Sequence, residues 1–213
     1  LAADDAGGDF QVLLPREKGH RYSMTHREGV FYLRTDRNAL NFRSVKVPAD
    51  DPREVNWQDV VPHKDHVLAS GLEVFENYAV VQERVLGLNR FRVLDFADGS
   101  WREITFPEAV YSAGGGGTPE YKSKTYRINY ESMVTPPCVY DYDLKDLSRE
   151  LKKQREVFNY DASQYVTERV WAVARDGAKV PVSVVYKKGT PRDGTAPMWL
   201  YGYGSYGISI PPT

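Results

Sequence analysis

The 213-residue chain has a single cysteine, Cys138, so it lacks the pair that an internal disulfide requires. His63 and His66 are two possible metal ligands three positions apart, but no carboxylate or cysteine follows at a zinc-site spacing. A solvated loop is the better interpretation of this pair. We therefore expect no metal and no cofactor, and the lone thiol favours a reducing compartment, the cytoplasm.

The chain also lacks an excess of charge and a long apolar run. Its 28 Lys and Arg against 29 Asp and Glu leave a net charge of -1, without the basic excess typical of nucleic-acid binding. No run approaches the roughly 18 apolar residues of a membrane helix. We expect neither a nucleic acid nor a membrane as partner. Leu1 is not an initiator methionine, and no secretory signal follows it, so we expect a segment of a longer protein.

What the sequence does contain is a repeat of strand-like runs. Three alternating runs, 42–47, 91–96 and 139–144, begin 49 and 48 residues apart. Each follows another strand-like run, which predicts one hairpin per repeat at 30–35, 78–83 and 126–131. Further β-rich runs at 57–61, 67–70 and 101–106 bring the count to about four strands per period, as in a β-propeller blade. An irregular antiparallel sandwich is the alternative.

The pattern changes after the third repeat. Residues 144–157 fit either a short amphipathic helix or a solvated linker. Residues 165–175 and 180–186 flank Asp176-Gly177, which predicts a hairpin with a tight turn. The apolar run 196–201 predicts a buried strand that leads into a glycine-rich segment, so a new domain is expected near residue 155.

Residues 198–210, MWLYGYGSYGISI, resemble the start of the catalytic domain in the prolyl oligopeptidase family of serine peptidases. Together with residues 135–144, TPPCVYDYDL, they look most like the oligopeptidase B branch. The resemblance implies a mainly β chain. Residues 1–150 would be the last three or so blades of a seven-bladed β-propeller, and residues 151–213 the first strands of a truncated α/β-hydrolase domain.

Family members cut short peptides with a Ser, Asp and His triad, and this branch prefers bonds after Arg or Lys. The resemblance therefore implies short basic peptides as substrate, with the rest of the propeller and catalytic domain as partners. No triad residue is expected in this chain. Ser205 has Tyr203 where the G-x-S-x-G elbow needs glycine, and the four histidines all precede the hydrolase segment. We expect the chain alone to be inactive.

The resemblance assigns roles to two tyrosines. Tyr203 matches the family tyrosine that donates its hydroxyl to the oxyanion of the tetrahedral intermediate, and Tyr206 matches an aromatic that lines the substrate pocket. The plain alternative is that both are strand-end aromatics with their hydroxyls in water. For the whole chain, the alternative is a non-catalytic propeller module that binds a protein partner.

Other notable residues favour structural roles. The run Gly114–Gly117 lacks the Lys-Ser/Thr of a phosphate loop and predicts a flexible connection between strands. Cys138 follows two prolines and is expected to be a buried small hydrophobe. Asp141 and Asp143 share one face of a strand, where they could bind a basic residue, although a solvated edge is favoured.

Overall fold

Consecutive strands form three four-stranded antiparallel sheets. The computed structural model describes residues 7–10 and 12–213. The first sheet contains β1 (Tyr22–Arg27), β2 (Val30–Thr35), β3 (Arg43–Pro48) and β4 (Gln58–Val61). The second contains β5 (Val67–Val74), β6 (Tyr78–Val85), β7 (Leu88–Asp95) and β8 (Trp101–Ile104). The third contains β9 (Ser112–Gly115), β10 (Thr125–Glu131), β11 (Cys138–Asp143) and β12 (Arg149–Gln154). We call them the first, second and third blade.

Each blade is a simple meander in which every strand pairs with the next in sequence. The predicted hairpins β2–β3, β6–β7 and β10–β11 are confirmed. Two-residue turns with positive φ at both positions, Glu28-Gly29 and Leu86-Gly87, join β1 to β2 and β6 to β7. Such turns match the twist of antiparallel strands.

The apolar core lies between neighbouring blades. A cluster that includes Phe91, Ile104, Tyr126 and Ile128 fills the space between the second and third blades. A smaller cluster around Tyr32 and Ala79 joins the first and second blades. Full burial of each large side chain contributes roughly 1.5–3 kcal/mol, so the contacts between blades stabilise the array.

The interpretation of residues 144–157 as a helix or a linker is wrong, because residues 149–154 form β12. This strand pairs with β11 and completes the third blade, and all six of its residues are exposed. A helix there would leave the outer edge of β11 without backbone partners. The charged residues of this segment suggested the polar face of a helix. In the structure they protect an exposed sheet edge from pairing with another chain.

A two-stranded sheet follows the blades. It consists of β13 (Tyr165–Val173) and β14 (Lys179–Lys187), which confirms the predicted hairpin. Its loop is longer than the predicted tight turn, because Ala174 N–H bonds to Ala178 O around Arg175, Asp176 and Gly177. Gly177 has φ +85°, as expected for the last residue of a three-residue hairpin loop.

The strand predicted at 196–201 is not formed. Trp199 is 90% exposed and Leu200 is 77% exposed, and none of the described residues pairs with this run. An apolar run becomes a strand only when a neighbouring strand accepts its backbone hydrogen bonds. Among the described residues, no helix has the length and hydropathy needed to cross a membrane.

Candidate functional site

The connections between strands gather on two sides of the blades. One side carries the loops 36–42, 62–66, 86–87, 105–111 and 132–137. Contacts between blades confirm the grouping: the Asn41 side-chain amide donates to Asp65 O at 2.6 Å, and the Tyr111 hydroxyl donates to Asn89 O at 2.8 Å. The segment after β12 leaves from this side, which we call the linker side.

Two side chains beyond β12 bind backbone carbonyls on the linker side. The Tyr160 hydroxyl donates to Val134 O at 2.5 Å, in the β10–β11 loop of the third blade. The Arg169 guanidinium on β13 donates to Leu86 O, in the β6–β7 turn of the second blade. The β13–β14 hairpin is thus attached to two neighbouring blades at the tips of their turns.

The turn at Leu86-Gly87 fits closely around this arginine. Gly87 has φ +81°, and a Cβ there would lie 3.0 Å from Arg169 Nη2 and 3.7 Å from Pro181 Cγ. Glycine therefore meets two requirements here, the left-handed backbone and the close approach of a side chain. The two-residue spacing of β6 and β7 indicates a turn, but no sequence signal identifies its partner 83 residues away.

The loop after β14 is tied back to the hairpin. Arg192 donates from Nη1 and Nη2 to the two Glu168 carboxylate oxygens, at 3.2 and 3.1 Å. The Tyr186 hydroxyl also donates to Glu168. This hydrogen bond raises the pKa of Tyr186, because it stabilises the neutral phenol beside a carboxylate. The anchored part of the loop ends before the run 196–201.

Both predicted site tyrosines lie beyond this anchor. Tyr203 is 46% exposed, and Tyr206 is 94% exposed in the short 3-10 turn Ser205–Gly207. Tyr206 has φ 59° and ψ 26°, a left-handed conformation that is uncommon for a residue with a Cβ. Their roles stay predictions.

A carboxylate on the linker side organises the third blade. Glu108 accepts hydrogen bonds from the Tyr130 hydroxyl at 3.0 Å and the Thr135 hydroxyl at 2.5 Å. Burial, together with this carboxylate, raises the pKa of Tyr130. His63 lies on the same side, where its ring accepts the Asn41 N–H at 3.3 Å.

Several predicted structural roles are now specified. Cys138 is buried as expected, and burial raises the pKa of its thiol. Asp141 binds Arg127 through two hydrogen bonds, of 2.7 and 2.8 Å, so a basic partner is the correct alternative for this residue. Asp143 accepts Lys145 N–H at 2.7 Å in the turn after β11.

The glycine run is only partly the flexible connection that was expected. Gly114 and Gly115 belong to β9 and pair with Asn129 and Ile128. A Cβ on Gly115 would lie 2.6 Å from the Tyr126 hydroxyl, which donates to Glu73 of the second blade. Glycine at position 115 therefore leaves room for the contact between Tyr126 of the third blade and Glu73 of the second.

The fold and the repeat define the class of protein, a β-propeller made of four-stranded meander blades. Residues 1–155 match the family model described as "Prolyl oligopeptidase, N-terminal beta-propeller domain". The chain belongs to the prolyl oligopeptidase family.

Named relatives cover nearly the whole chain. Dipeptidyl aminopeptidase BI of Pseudoxanthomonas mexicana is 44% identical over 96% of this chain, and Protease 2 of Moraxella lacunata is 31% identical over 100%. The solved oligopeptidase B of Leishmania major is 33% identical over 97%, with a TM-score of 0.85. The Trypanosoma brucei enzyme, in a closed form with covalently bound antipain, is 32% identical over 94%, with a TM-score of 0.84.

The chain spans about three tenths of these proteins' own lengths: 28% and 30% of the two curated relatives, and 31% and 30% of the two solved chains.

Proposed function

We propose that this chain is the junction between the propeller and the catalytic domain of a serine peptidase that cleaves short peptides. The observation that carries the proposal is that relatives named as peptidases align with 96–100% of the chain, and the alignment with Protease 2, at 100%, includes the segment around Tyr203. Residues 1–150 would be propeller blades, and residues 151–213 would begin an α/β-hydrolase domain. We expect the complete enzyme to act in the cytoplasm.

The reaction would be acyl transfer. A serine outside this chain attacks the peptide carbonyl, an acyl-enzyme forms as the amine leaves, and water then releases the acid. The carbonyl oxygen carries a negative charge in the tetrahedral intermediate. The Tyr203 hydroxyl would donate a hydrogen bond to that oxygen, while Tyr206 would line the pocket for the substrate side chain.

A neutral phenol is suited to this task. Its hydrogen bond is stronger to the charged oxyanion than to the uncharged carbonyl of the substrate, so it stabilises the transition state more than the bound substrate. Gly202 and Gly204 flank Tyr203, and a Cβ on either would meet no atom within 4 Å. Within the described part of the chain, the backbone on both sides of Tyr203 is therefore uncrowded.

The substrate specificity has two candidates. The resemblance of residues 135–144 and 198–210 to the oligopeptidase B branch favours an endopeptidase that cuts after Arg or Lys. The 44% identity to a dipeptidyl aminopeptidase favours release of dipeptides from a free N-terminus. One solved relative is in a closed form, and two prolyl endopeptidases use inter-domain dynamics in catalysis and specificity, so we expect the complete enzyme to open and close between its two domains.

The test compares two fluorogenic peptides that share an Arg-Arg sequence, one with a blocked N-terminus and one with a free N-terminus. An endopeptidase cleaves both, whereas a dipeptidyl aminopeptidase cleaves only the free one. The measurement is kcat/KM for each substrate with the complete enzyme. Absence of cleavage with both, in a folded preparation, would contradict the peptidase proposal.

A further inference from the structure

The attachment of the β13–β14 hairpin to the second blade depends on a cation that meets no anion among the described residues. Arg169 donates to a neutral carbonyl, Leu86 O, and its buried Nε meets no hydrogen-bond partner in that part of the chain. Its guanidinium carbon lies 5.7 Å from the centre of the Trp171 ring. In the part of the chain that the structure describes, none of the ion pairs includes Arg169, whereas Arg90 and Arg92 both meet Glu83.

The free energy of this contact is the difference between two opposed contributions. A hydrogen bond from a charged donor favours the contact. Partial removal of the guanidinium from water opposes it, and no carboxylate among the described residues adds an ionic attraction. The same burial lowers the pKa of Arg169. On release, the guanidinium regains its water, so this contact is weaker than one that an ion pair reinforces.

The second attachment is of a different kind. Tyr160 is uncharged, precedes β13 and stacks on Tyr165 with ring centres 5.7 Å apart. It holds the start of the hairpin to the third blade at Val134 O. When Arg169 releases Leu86, the hairpin therefore remains attached at one end only. Tyr160 is then the pivot, and β14 leads from this hairpin to the segment that contains Tyr203.

We propose that Arg169 is a positioning residue that latches the catalytic domain to the second blade and releases it to admit substrate. The inference rests on the proposed function, because it assigns the hairpin to the catalytic domain. The latch is the contact between the Arg169 side chain and the Leu86-Gly87 turn. It opens when this side chain leaves Leu86 O. In the closed state the latch fixes the hairpin over the linker side.

Two pairs of variants in the complete enzyme test the latch. Arg169→Ala removes the donor, and its control Arg175→Ala removes an exposed arginine of the hairpin loop. Gly87→Ala places a Cβ 3.0 Å from Arg169 Nη2. Its control, Gly29→Ala, occupies a turn of the same kind with φ +72° and nothing within 4 Å. Both alanines have similar backbone strain at positive φ, and the Cβ at position 87 meets Pro181 only at an ordinary contact distance of 3.7 Å, so the close approach to Arg169 is the main difference.

The first measurement is amide hydrogen exchange in residues 86–89 and 165–173. We expect exchange to be tenfold faster or more in Arg169→Ala and Gly87→Ala, and unchanged in the two controls. Equal protection in all four variants and the wild type would overturn the latch. If Arg169→Ala does not fold, the comparison of Gly87→Ala with Gly29→Ala decides the question alone.

The second measurement separates a latch from a loss of stability. An open enzyme should cleave a long peptide with a kcat/KM several-fold higher than the wild type, because entry is easier. It should cleave a short substrate with a lower kcat, because the closed state is less populated. A parallel fall for both lengths would indicate damage to the fold and contradict the latch. Hydrogen exchange needs no substrate, so a failed peptidase proposal and a failed latch give different results.

Discussion

Glu83 shows how a single buried charge is stabilised when it has partners. Its side chain is 1% exposed, and Arg92 and Arg90 approach its two oxygens at 2.6 and 2.7 Å. Burial acts to raise the pKa of this carboxyl, but the combined effect of the two arginines lowers it below its ordinary value of 4.5. The ionised form is therefore the one that stabilises the second blade.

Replacement of Glu83 should destabilise the complete enzyme. Glu83→Gln leaves two arginines without their anion, and breaking a buried pair costs about 3–5 kcal/mol. Because the folded pKa is depressed, the stabilisation is present above 4.5 and is lost as pH falls through the folded pKa. Thermal unfolding of both proteins across this range should show a steeper acid loss in the wild type. Parallel curves would contradict this role.

Tyr203 is the residue of this chain on which the proposed chemistry depends. In the complete enzyme, Tyr203→Phe should lower kcat about 10²-fold or more with little change in KM, because the hydrogen bond forms mainly in the transition state. The matched control is Tyr201→Phe, two positions earlier in the same segment. An unchanged kcat in Tyr203→Phe would remove this tyrosine from the mechanism.

At the scale of elements, β9 offers a direct test of how the blades fit together. Gly115→Ala places a Cβ 2.6 Å from the Tyr126 hydroxyl, so it should destabilise the complete enzyme by about 1–3 kcal/mol. Gly114→Ala, its neighbour in the strand, meets no atom within 4 Å. It should be neutral or slightly stabilising. Denaturant unfolding gives both values, and equal effects would contradict the close contact between blades.

The strands that the sequence predicts best are those with regular alternation between buried and exposed positions. β10 shows this pattern, with Tyr126, Ile128 and Tyr130 buried and the residues between them exposed. β12 was missed because its six positions are all exposed and charged or polar at most sites. Its strand conformation is set by the free edge of β11, a partner that periodicity does not reveal.

The periodicity of a segment cannot predict its contacts with elements that are distant in sequence. Tyr203 and Tyr206 could be selected because the resemblance lies in their own segment. Arg169 could not, since one arginine in an alternating strand is unremarkable until Leu86 O lies beside it. Likewise, the Gly114–Gly117 run indicates flexibility, whereas the need for glycine at 115 comes from Tyr126 on the next strand.

At the scale of the whole molecule, the apolar surface is concentrated beyond the blades. Met198 and Trp199 are 82% and 90% exposed, and Val173 on the hairpin is 71% exposed. Exposed apolar patches of this kind mark surfaces that another part of a protein covers. The 213-residue chain alone should therefore self-associate, bind hydrophobic dyes and unfold without a sharp transition. A monodisperse monomer with one cooperative transition, by size-exclusion chromatography and calorimetry, would contradict this expectation.

The central claim is that this chain belongs to an enzyme that forms an acyl-serine intermediate. The most direct measurement is labelling of the complete enzyme by a peptide phosphonate that ends in arginine, followed by mass spectrometry of the modified peptide. The account predicts one phosphonylated serine outside residues 1–213, loss of peptidase activity in proportion to labelling, and no labelling of the isolated chain. A folded, complete protein that neither reacts with the probe nor hydrolyses peptides would contradict it.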